Sequence, residues 1–260
     1  MTIEKFNIDT ADIIAAKHEH LRERQAKTPS AAVIALADMQ KFPIPVLNVV
    51  TGGDGITVIG RVTFQKIYDP VGTGLRYIRA GATAISFFTD EQIYRKGLDD
   101  LLLVSRGIKR PVIYQDYILD EYHVAEARAA GAAALTLYAS ILSPSMLRLT
   151  VSLTLRWRMT AIVQVQNSEQ LAIARDVSPH VISVGDPNIP DPQHSLALLA
   201  DLRASIPYNT RVMLQTPLSS LEEVAQAKDL AVDAILVDER LLMHRTQAKA
   251  LAELVGQSSD

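Results

Sequence analysis

The chain has 260 residues, of which 48% are hydrophobic and 21% are charged. This composition is ordinary for globular proteins and excludes disordered and fibrous classes. A formal net charge of −3 argues against a broad basic surface, so we expect no nucleic-acid partner. The absence of cysteine excludes disulfides, thiolate metal sites and a cysteine nucleophile. All apolar runs fall short of the roughly 18 residues of a membrane span, so we expect a cytoplasmic protein without membrane insertion.

The first predicted elements are two helices between residues 9 and 39. Ile13, Ile14, Lys17 and Leu21 recur at the spacing of one helical face. Residues 32–39 form a second, apolar helix after a Thr-Pro-Ser sequence, which is a helix start signal. A Thr-Gly-Gly-Asp-Gly turn at 51–55 then precedes the first predicted strand.

From residue 57 onward, short β-branched or apolar runs alternate with longer amphipathic segments. This alternation is typical of βα units around a parallel sheet. The predicted strands cover residues 57–62, 82–88, 111–114, 132–138, 160–165, 180–184, 211–214 and 233–237. Such a series most simply closes into a (β/α)8 TIM barrel, and a doubly wound open sheet is the alternative. We predict a single domain over residues 1–260, with an N-terminal helical extension at 1–50 and the barrel at 56–258.

Local signals support helices between these strands. Residues 120–130 place several apolar side chains on one face. Ser219 or Ser220 is a suitable N-cap for a helix over 219–228. Gly81 and Gly131 each stand between a predicted helix and the next strand, where glycine suits the residue after a helix end.

Several ordered segments resemble the indole-3-glycerol-phosphate synthase family. They are AGATAISFFTDE at 80–91, GLDDL at 97–101, PVIYQDYILDEYHVAEARAAGA at 111–132, IVQVQNSEQL at 162–171 and AILVDERLL at 234–242. The resemblance spans nearly the whole chain and implies the (β/α)8 fold. It also implies a carboxyphenylamino-deoxyribulose phosphate substrate, which undergoes ring closure, decarboxylation and dehydration. In that family a protonated lysine acts as general acid, and glutamates act as acid and base.

The positions that align with the family's acid and base residues carry other side chains. The family's Glu-x-Lys pair on the first strand is matched by Arg61 and Thr63. The lysine at the end of the third strand is matched by Gln115, and the glutamate of the fifth strand by Gln164. Glutamine keeps roughly the shape and the hydrogen-bonding capacity of these groups but does not ionise.

The resemblance also marks the loops that hold the substrate's phosphate and ring. The three loops after the sixth, seventh and eighth strands are matched by Gly185, Asp186 and Pro187, by Gln215, Thr216 and Pro217, and by Asp238, Glu239 and Arg240. In the family, backbone N–H groups and a serine hydroxyl in these loops bind the phosphate. A proline and an acidic residue stand at those positions here, so we expect the phosphate pocket to be closed. Tyr94 and Tyr117 align with the family's aromatic residues against the substrate ring, so weak binding of an aromatic ligand is expected to survive.

We therefore interpret the chain as a non-catalytic relative, retained as a binding, regulatory or structural subunit of an assembly. Its partner is an unidentified protein or a second copy, and no catalytic, metal-binding or cofactor-binding residue is predicted. The alternative is a divergent synthase, a carbon–carbon lyase of tryptophan biosynthesis, or a barrel enzyme with altered chemistry. Either enzyme needs a general acid that the sequence does not reveal. We further expect Arg61 to face Asp238 or Glu239, because the first and last strands of a closed barrel are neighbours.

Three other features have ordinary explanations. His18 and His20 are two residues apart and fall on different helix faces, so they predict no metal site. Arginines around Trp157 indicate either a solvated helix face or contact with an acidic partner. The dense apolar residues of 146–155 indicate either a subunit contact or a deeply buried helix.

Overall fold

The computed structural model describes residues 10–46, 55–62, 69–88, 97–188 and 190–256. Two helices, α1 (Thr10–Lys27) and α2 (Ser30–Met39), precede the first strand, β1 (Thr57–Val62). The predicted N-terminal helices are therefore confirmed.

Strands and helices then alternate to the end of the described chain. The elements in order are α3 (Pro70–Arg79), β2 (Ala84–Phe88), α4 (Gly97–Gly107), β3 (Val112–Gln115), α5 (Glu121–Ala129), β4 (Ala134–Tyr138), α6 (Pro144–Arg156), β5 (Thr160–Val165), α7 (Ser168–Val177), β6 (Val181–Val184), α8 (Pro192–Leu202), a 3-10 turn (Arg203–Ser205), β7 (Arg211–Leu218), α9 (Leu221–Asp229), β8 (Ala234–Val237), α10 (Glu239–Met243) and α11 (Arg245–Val255).

The eight strands form one closed parallel sheet in sequence order, and β1 pairs with β8 to complete it. This is the predicted (β/α)8 barrel, and the alternative of an open doubly wound sheet is wrong. The carboxyl ends of all eight strands meet at one end of the barrel, called the mouth below. In this fold the mouth is the place where ligands bind.

Local sequence signals explain where several helices begin and end. Ser220 caps α9: its hydroxyl accepts the backbone N–H of Glu223, and the Glu223 carboxylate accepts the backbone N–H of Ser220. This reciprocal pair is a capping box. Gly131 follows α5 with a φ of +88°, a conformation that favours glycine.

Strand β7 differs most from its prediction. We expected it to end at residue 214, but it continues to Leu218, which pairs with Val237 of β8 across an irregularity in the register. The extra residues include Gln215, Thr216 and Pro217, which are buried in the strand and form no exposed loop. Sequence periodicity missed this extension because polar residues and a proline are normally strand-ending signals.

The barrel interior is layered along its axis. An apolar layer toward the amino ends of the strands contains Ile59, Ile113, Ile162 and Met213. Polar side chains follow it toward the mouth. A larger apolar core fills the space between the sheet and the surrounding helices. The barrel is therefore a packed support with its polar groups concentrated near one end.

The helix α2 is held against the outside of the barrel. The indole Nε1 of Trp157 donates to Oδ1 of Asp38 at 2.9 Å, and the Arg158 guanidinium stacks over the ring of Phe42 at 4.1 Å. Part of the basic and aromatic stretch predicted around Trp157 thus holds the N-terminal segment. In α6, Leu147 and Val151 are buried, whereas Leu149 and Leu155 remain partly exposed, so the apolar stretch divides between core and surface.

Within the described part of the chain, no helix combines the length and the hydropathy needed to cross a membrane.

Candidate functional site

Three of the predicted mouth positions are glutamines that are buried inside the barrel. Gln115 on β3, Gln164 on β5 and Gln215 on β7 are each exposed by 1% or less. Nε2 of Gln215 donates to Oγ1 of Thr136 on β4, across the barrel, at 3.0 Å. The structure therefore buries these three side chains between the strands.

Hydrogen bonds to neighbouring strands hold the glutamines in place. Ser86 Oγ donates to Oε1 of Gln115 at 2.8 Å, and Ser183 Oγ donates to Oε1 of Gln215. Gln164 Nε2 donates to the backbone oxygen of Gly185 at 3.0 Å. Pairing of this kind compensates the cost of burying amide groups.

Arg61 reaches from β1 toward the loop after β6. Its Nη2 lies 3.5 Å from Oδ1 of Asn188, whose own amide lies 3.4 Å from the hydroxyl of Tyr117. Asp238, one of the two carboxylates expected to face Arg61, pairs with Arg240 at 3.0 Å. Asp238 caps the short helix α10, which fixes its carboxylate close to its own backbone.

Helix α1 crosses the mouth and contributes side chains to it. Ile13 is fully buried in a cluster with Phe88, Tyr117 and Tyr138, from the ends of β2, β3 and β4. The ring of Tyr117 lies 5.2 Å from that of Tyr138 and stands edge-on to that of Phe88. The N-terminal extension therefore covers an aromatic surface at the carboxyl ends of these strands.

One turn further along α1, Lys17 forms a buried ion pair with Asp116. Its Nζ lies 2.6 Å from Oδ1 of Asp116, and the two residues are only 5% and 3% exposed. The Asp116 carboxylate also accepts the backbone N–H of Tyr117 and the hydroxyl of Tyr114. These donors satisfy the carboxylate and hold it toward α1.

Sequence reasoning missed Lys17 as a site residue. The only available signal was its place on the apolar face of the first helix, beside Ile13, Ile14 and Leu21. A lysine at such a position is either a boundary residue or a buried charge with a partner. Without the fold, nothing indicated that this face covers the end of β3 and meets Asp116.

A buried histidine lies behind the ion pair. Nε2 of His123 is 2.9 Å from Nη2 of Arg24, and the backbone N–H of Leu119 donates to its Nδ1. Burial lowers the pKa of His123 to about 3, and the positive charges of Lys17 and Arg24 act in the same direction. The imidazole is therefore neutral at physiological pH and does not compete with Lys17 for Asp116.

Tyr138 presents its hydroxyl at the same end of the barrel. Its pKa is raised well above the usual value, first by burial and then by the negative charge of Asp186, while Gln115 acts in the opposite direction. The phenol is consequently protonated at neutral pH. The side chain of Gln115 interacts with this hydroxyl, and each of the two groups has a further hydrogen to donate. Both can donate to an oxygen atom of a ligand.

The remaining predicted positions divide into two groups. Gly185, Asp186 and Pro187 follow β6, and Asp238, Glu239 and Arg240 follow β8, so all six lie at the mouth. Thr63 and Tyr94 lie outside the described residues. Within the described ranges, no three histidine, aspartate or glutamate side chains are grouped so that they could hold a metal ion.

Comparison with known proteins identifies a family. The model of the family described as indole-3-glycerol phosphate synthase matches residues 61–254. The indole-3-glycerol phosphate synthase of Leifsonia xyli is 29% identical over 89% of this chain and 92% of that protein. The enzyme of the same name from Roseiflexus sp. is 29% identical over 95% of this chain and 97% of its own length.

Comparison with solved structures supports the barrel fold of this chain and nothing beyond it. Thiamine phosphate pyrophosphorylase from Pyrococcus furiosus superimposes with a TM-score of 0.59 at 14% identity, covering 77% of this chain and 96% of that one. At such low identity the similarity indicates a shared barrel architecture and nothing about chemistry.

These comparisons correct the functional expectation. We expected a non-catalytic binding, regulatory or structural subunit, because the aligned acid and base positions carry other residues. That expectation is wrong: the relatives that match this chain over most of its length at 26–31% identity are named as synthases, which favours the enzymatic alternative. The general acid that we could not locate in the sequence therefore has to be sought in the structure.

Proposed function

Because the chain belongs to the indole-3-glycerol phosphate synthase family, we propose that it is a divergent carbon–carbon lyase whose general acid is Lys17. The reaction converts an N-(2-carboxyphenyl)amino-deoxyribulose compound into an indole with loss of carbon dioxide and water. The observation that carries the proposal is the buried ion pair between Lys17 and Asp116 at the barrel mouth.

The position of Lys17 supports this role. The family's lysine at the end of the third strand is matched here by Gln115, and Asp116 is the next residue. Lys17 therefore brings an ammonium group from α1 to the end of the same strand. The Asp116 carboxylate compensates the positive charge, so a protonated amine can be held in a buried site.

The ring closure needs an acid near the substrate's carbonyl oxygen. As the aromatic carbon attacks the carbonyl carbon, the oxygen gains negative charge and takes a proton, which the Lys17 ammonium supplies. The Tyr138 hydroxyl and Nε2 of Gln115, which interact with each other, are two further hydrogen-bond donors at the barrel mouth. Donors arranged in advance around a developing negative charge lower the barrier.

The substrate's aromatic ring also has a suitable surface. Phe88, Tyr117 and Tyr138 form a cluster under α1, and edge-on and tilted contacts already hold their rings. A carboxyphenyl ring packs well against such a surface. Since Ile13 now covers the cluster, binding requires the first turn of α1, which carries Ile13 and precedes Lys17, to move aside.

The test is turnover by the purified full chain, followed by indole fluorescence, beside the Lys17→Arg variant. Arginine keeps the charge and the pairing with Asp116 but does not release a proton near neutral pH. We expect turnover by the unmodified chain and a loss of about 10²-fold or more in kcat for Lys17→Arg.

The matched control is Lys249→Arg, at an exposed lysine that pairs with Glu253 on α11. We expect its kcat to equal that of the unmodified chain, and equal melting temperatures would show that both variants are folded. No turnover above a protein-free blank would contradict the proposed activity. Undiminished turnover by Lys17→Arg would contradict the role of Lys17.

A further inference from the structure

We infer that the amino end of the barrel carries a separate binding site, for a small monocarboxylate with an apolar body. The site lies at the opposite end of the sheet from the mouth, beside the residues that lead into β6 and β7. It goes beyond the proposed lyase activity and does not depend on it. The inference comes from a cavity, from the charges around it and from its apolar walls.

A cavity of about 310 Å³ opens where α7 ends and where β6 and β7 begin. Arg175 lines it from α7, Pro179 and His180 from the segment before β6, and Arg211 from the first position of β7. The backbone N–H of Arg211 donates to the backbone oxygen of His180 at 3.2 Å, which joins the two strand walls. Sites for small molecules span roughly 300–1,000 Å³, so this cavity suits a ligand at the small end of that range.

Arg175 provides a guanidinium for the ligand. It stands in the last turn of α7, and its backbone oxygen accepts the N–H of Ser178, which ends the helix in a left-handed conformation. Within the described part of the chain, no hydrogen bond or ion pair engages the Arg175 guanidinium. A guanidinium presents parallel N–H groups that match the two oxygens of a carboxylate. This side chain can therefore bind a carboxylate without first breaking another contact.

Arg211 provides a second guanidinium, which is held in place by an aspartate. Its Nη1 lies 2.7 Å from Oδ1 of Asp233, and Oδ2 of Asp233 accepts the backbone N–H of Val212 at 2.8 Å. The pair compensates its own charge. Because a guanidinium has five N–H groups, Arg211 still has donors to offer a ligand.

The other charged groups around the cavity favour a ligand with a single negative charge. Partial burial lowers the pKa of His180, so its imidazole is uncharged at neutral pH and adds no positive charge. Asp176 follows Arg175 outside the cavity lining, and Nη1 of Arg148 lies 3.3 Å from its backbone oxygen, so these two opposite charges lie near each other. Among these described groups the charge of Arg175 is left to be compensated. One carboxylate suits this balance better than a phosphate dianion.

Apolar side chains complete the cavity wall. Pro179 and Ile182 are buried, and Pro207 is half-buried. An ion pair in a partly exposed site contributes little by itself, so the affinity has to come from apolar surface as well. The ligand is therefore a compact apolar molecule with one carboxylate, and benzoate is the simplest probe of that class.

Ligand-observed NMR titrations of the full chain compare benzoate with two matched probes. Benzamide has the same shape without the charge, and inorganic phosphate has charge without an apolar body. We expect saturable binding of benzoate that is about fivefold or more tighter than that of benzamide, because only the carboxylate forms charge-assisted hydrogen bonds. We expect benzoate to bind more tightly than inorganic phosphate as well.

Arg175→Gln is the diagnostic variant, because it removes the guanidinium while keeping most of the side chain. We expect benzoate to bind about fivefold or more weakly to it. Arg175→Lys keeps the charge but loses the paired N–H groups, so its affinity should be intermediate. The control is Arg156→Gln, at an exposed arginine in the last turn of α6 that does not line the cavity. Its benzoate affinity should be unchanged, and equal melting temperatures show that the variants are folded.

Equal affinities for benzoate and benzamide would overturn the inference, as would tighter binding of inorganic phosphate. Benzoate binding that Arg175→Gln leaves intact would also overturn it, because a carboxylate bound at the mouth would survive that change. No substrate is present in these titrations, so their outcome is separate from the presence or absence of lyase turnover.

Discussion

The Nζ atom of Lys17 in α1 lies 2.6 Å from Oδ1 of Asp116 at the end of β3, and both side chains are buried. This contact joins the N-terminal extension to the barrel at the place where the fold binds ligands. It therefore links the stability of the extension to the chemistry of the mouth.

Breaking this pair should destabilise the protein strongly. Lys17→Met leaves the buried Asp116 carboxylate without its positively charged partner. Asp116→Asn leaves the Lys17 ammonium without its negatively charged partner. We expect each change to lower the free energy of unfolding by about 3–5 kcal/mol. The double variant Lys17→Met/Asp116→Asn should lose much less free energy of unfolding than the two single variants together, because no uncompensated charge remains. Urea unfolding of the four proteins measures the coupling.

The exposed pair of Lys249 and Glu253 is the control for that cycle. Lys249→Met/Glu253→Gln should change the free energy of unfolding by less than about 1 kcal/mol. Additive effects at Lys17 and Asp116 would contradict the structural account of a buried, mutually compensating pair.

Acid should destabilise the fold through His123. Its pKa in the folded protein is about 3, well below the usual value near 6.5, because it is buried beside Lys17, Arg24 and His18, with Asp116 acting the other way. As the pH falls below about 6.5, the unfolded chain binds a proton that the folded chain cannot. Stability should therefore decrease by about 1.4 kcal/mol per pH unit from this group down to the folded pKa.

The measurement is urea unfolding at pH 7 and pH 4.5 for the unmodified chain and for His123→Asn. The free energy of unfolding of His123→Asn should fall less between pH 7 and pH 4.5, because the asparagine side chain does not titrate. His194→Asn, an exposed histidine in α8, controls for the loss of a histidine elsewhere. Identical pH dependence in the unmodified chain and His123→Asn would contradict this role of His123.

The single tryptophan reports on the docking of α2. Asp38→Ala removes the acceptor of the Trp157 indole N–H, a bond of 2.9 Å. We expect a loss of about 0.5–1.5 kcal/mol in the free energy of unfolding and a change in tryptophan emission of the folded protein. The control is Asp176→Ala, because the hydrogen bond that the described residues give this exposed aspartate goes to its backbone oxygen. An unchanged emission spectrum for Asp38→Ala would contradict the contact.

Gly131→Ala should be costly for two separate reasons. The residue has a φ of +88°, and an added Cβ would lie 2.5 Å from the Ser105 hydroxyl oxygen. That hydroxyl already donates to the backbone oxygens of Leu102 and Ala130. We expect the free energy of unfolding to fall by about 2–3 kcal/mol, because the backbone is strained and Ser105 has to move.

Gly256→Ala isolates the backbone contribution to that loss. Its φ is +76°, but the nearest atom to an added Cβ is 3.5 Å away. We expect Gly256→Ala to lower the free energy of unfolding by about 1 kcal/mol. Thermal or urea unfolding compares the two, and an equal cost would mean that Ser105 moves aside freely.

Much of the fold was predictable because it depends on local patterns. Alternation of apolar runs with amphipathic segments located the eight strands, and Ser220 and Gly131 marked helix boundaries through their own chemistry. The extension of β7 was not predictable in this way. Its buried Gln215 is accommodated in a strand because Ser183 and Thr136 from other strands supply hydrogen-bond partners there.

The site was predictable only in part. The aligned positions Gln115, Gln164 and Gln215 do line the barrel, because inward-facing positions follow from strand periodicity. Arg61 was expected beside Asp238 or Glu239, and in the structure its guanidinium lies 3.5 Å from Asn188, because a long side chain can reach several loops.

By itself the sequence determined a (β/α)8 barrel with two helices before it. Those properties depend on spacing and residue type along the chain. Only the tertiary structure decided that α1 covers the mouth, that Lys17 meets Asp116, and that Arg175 and Arg211 line one cavity at the amino end of the barrel. Contacts between distant segments depend on packing directions that no local pattern encodes.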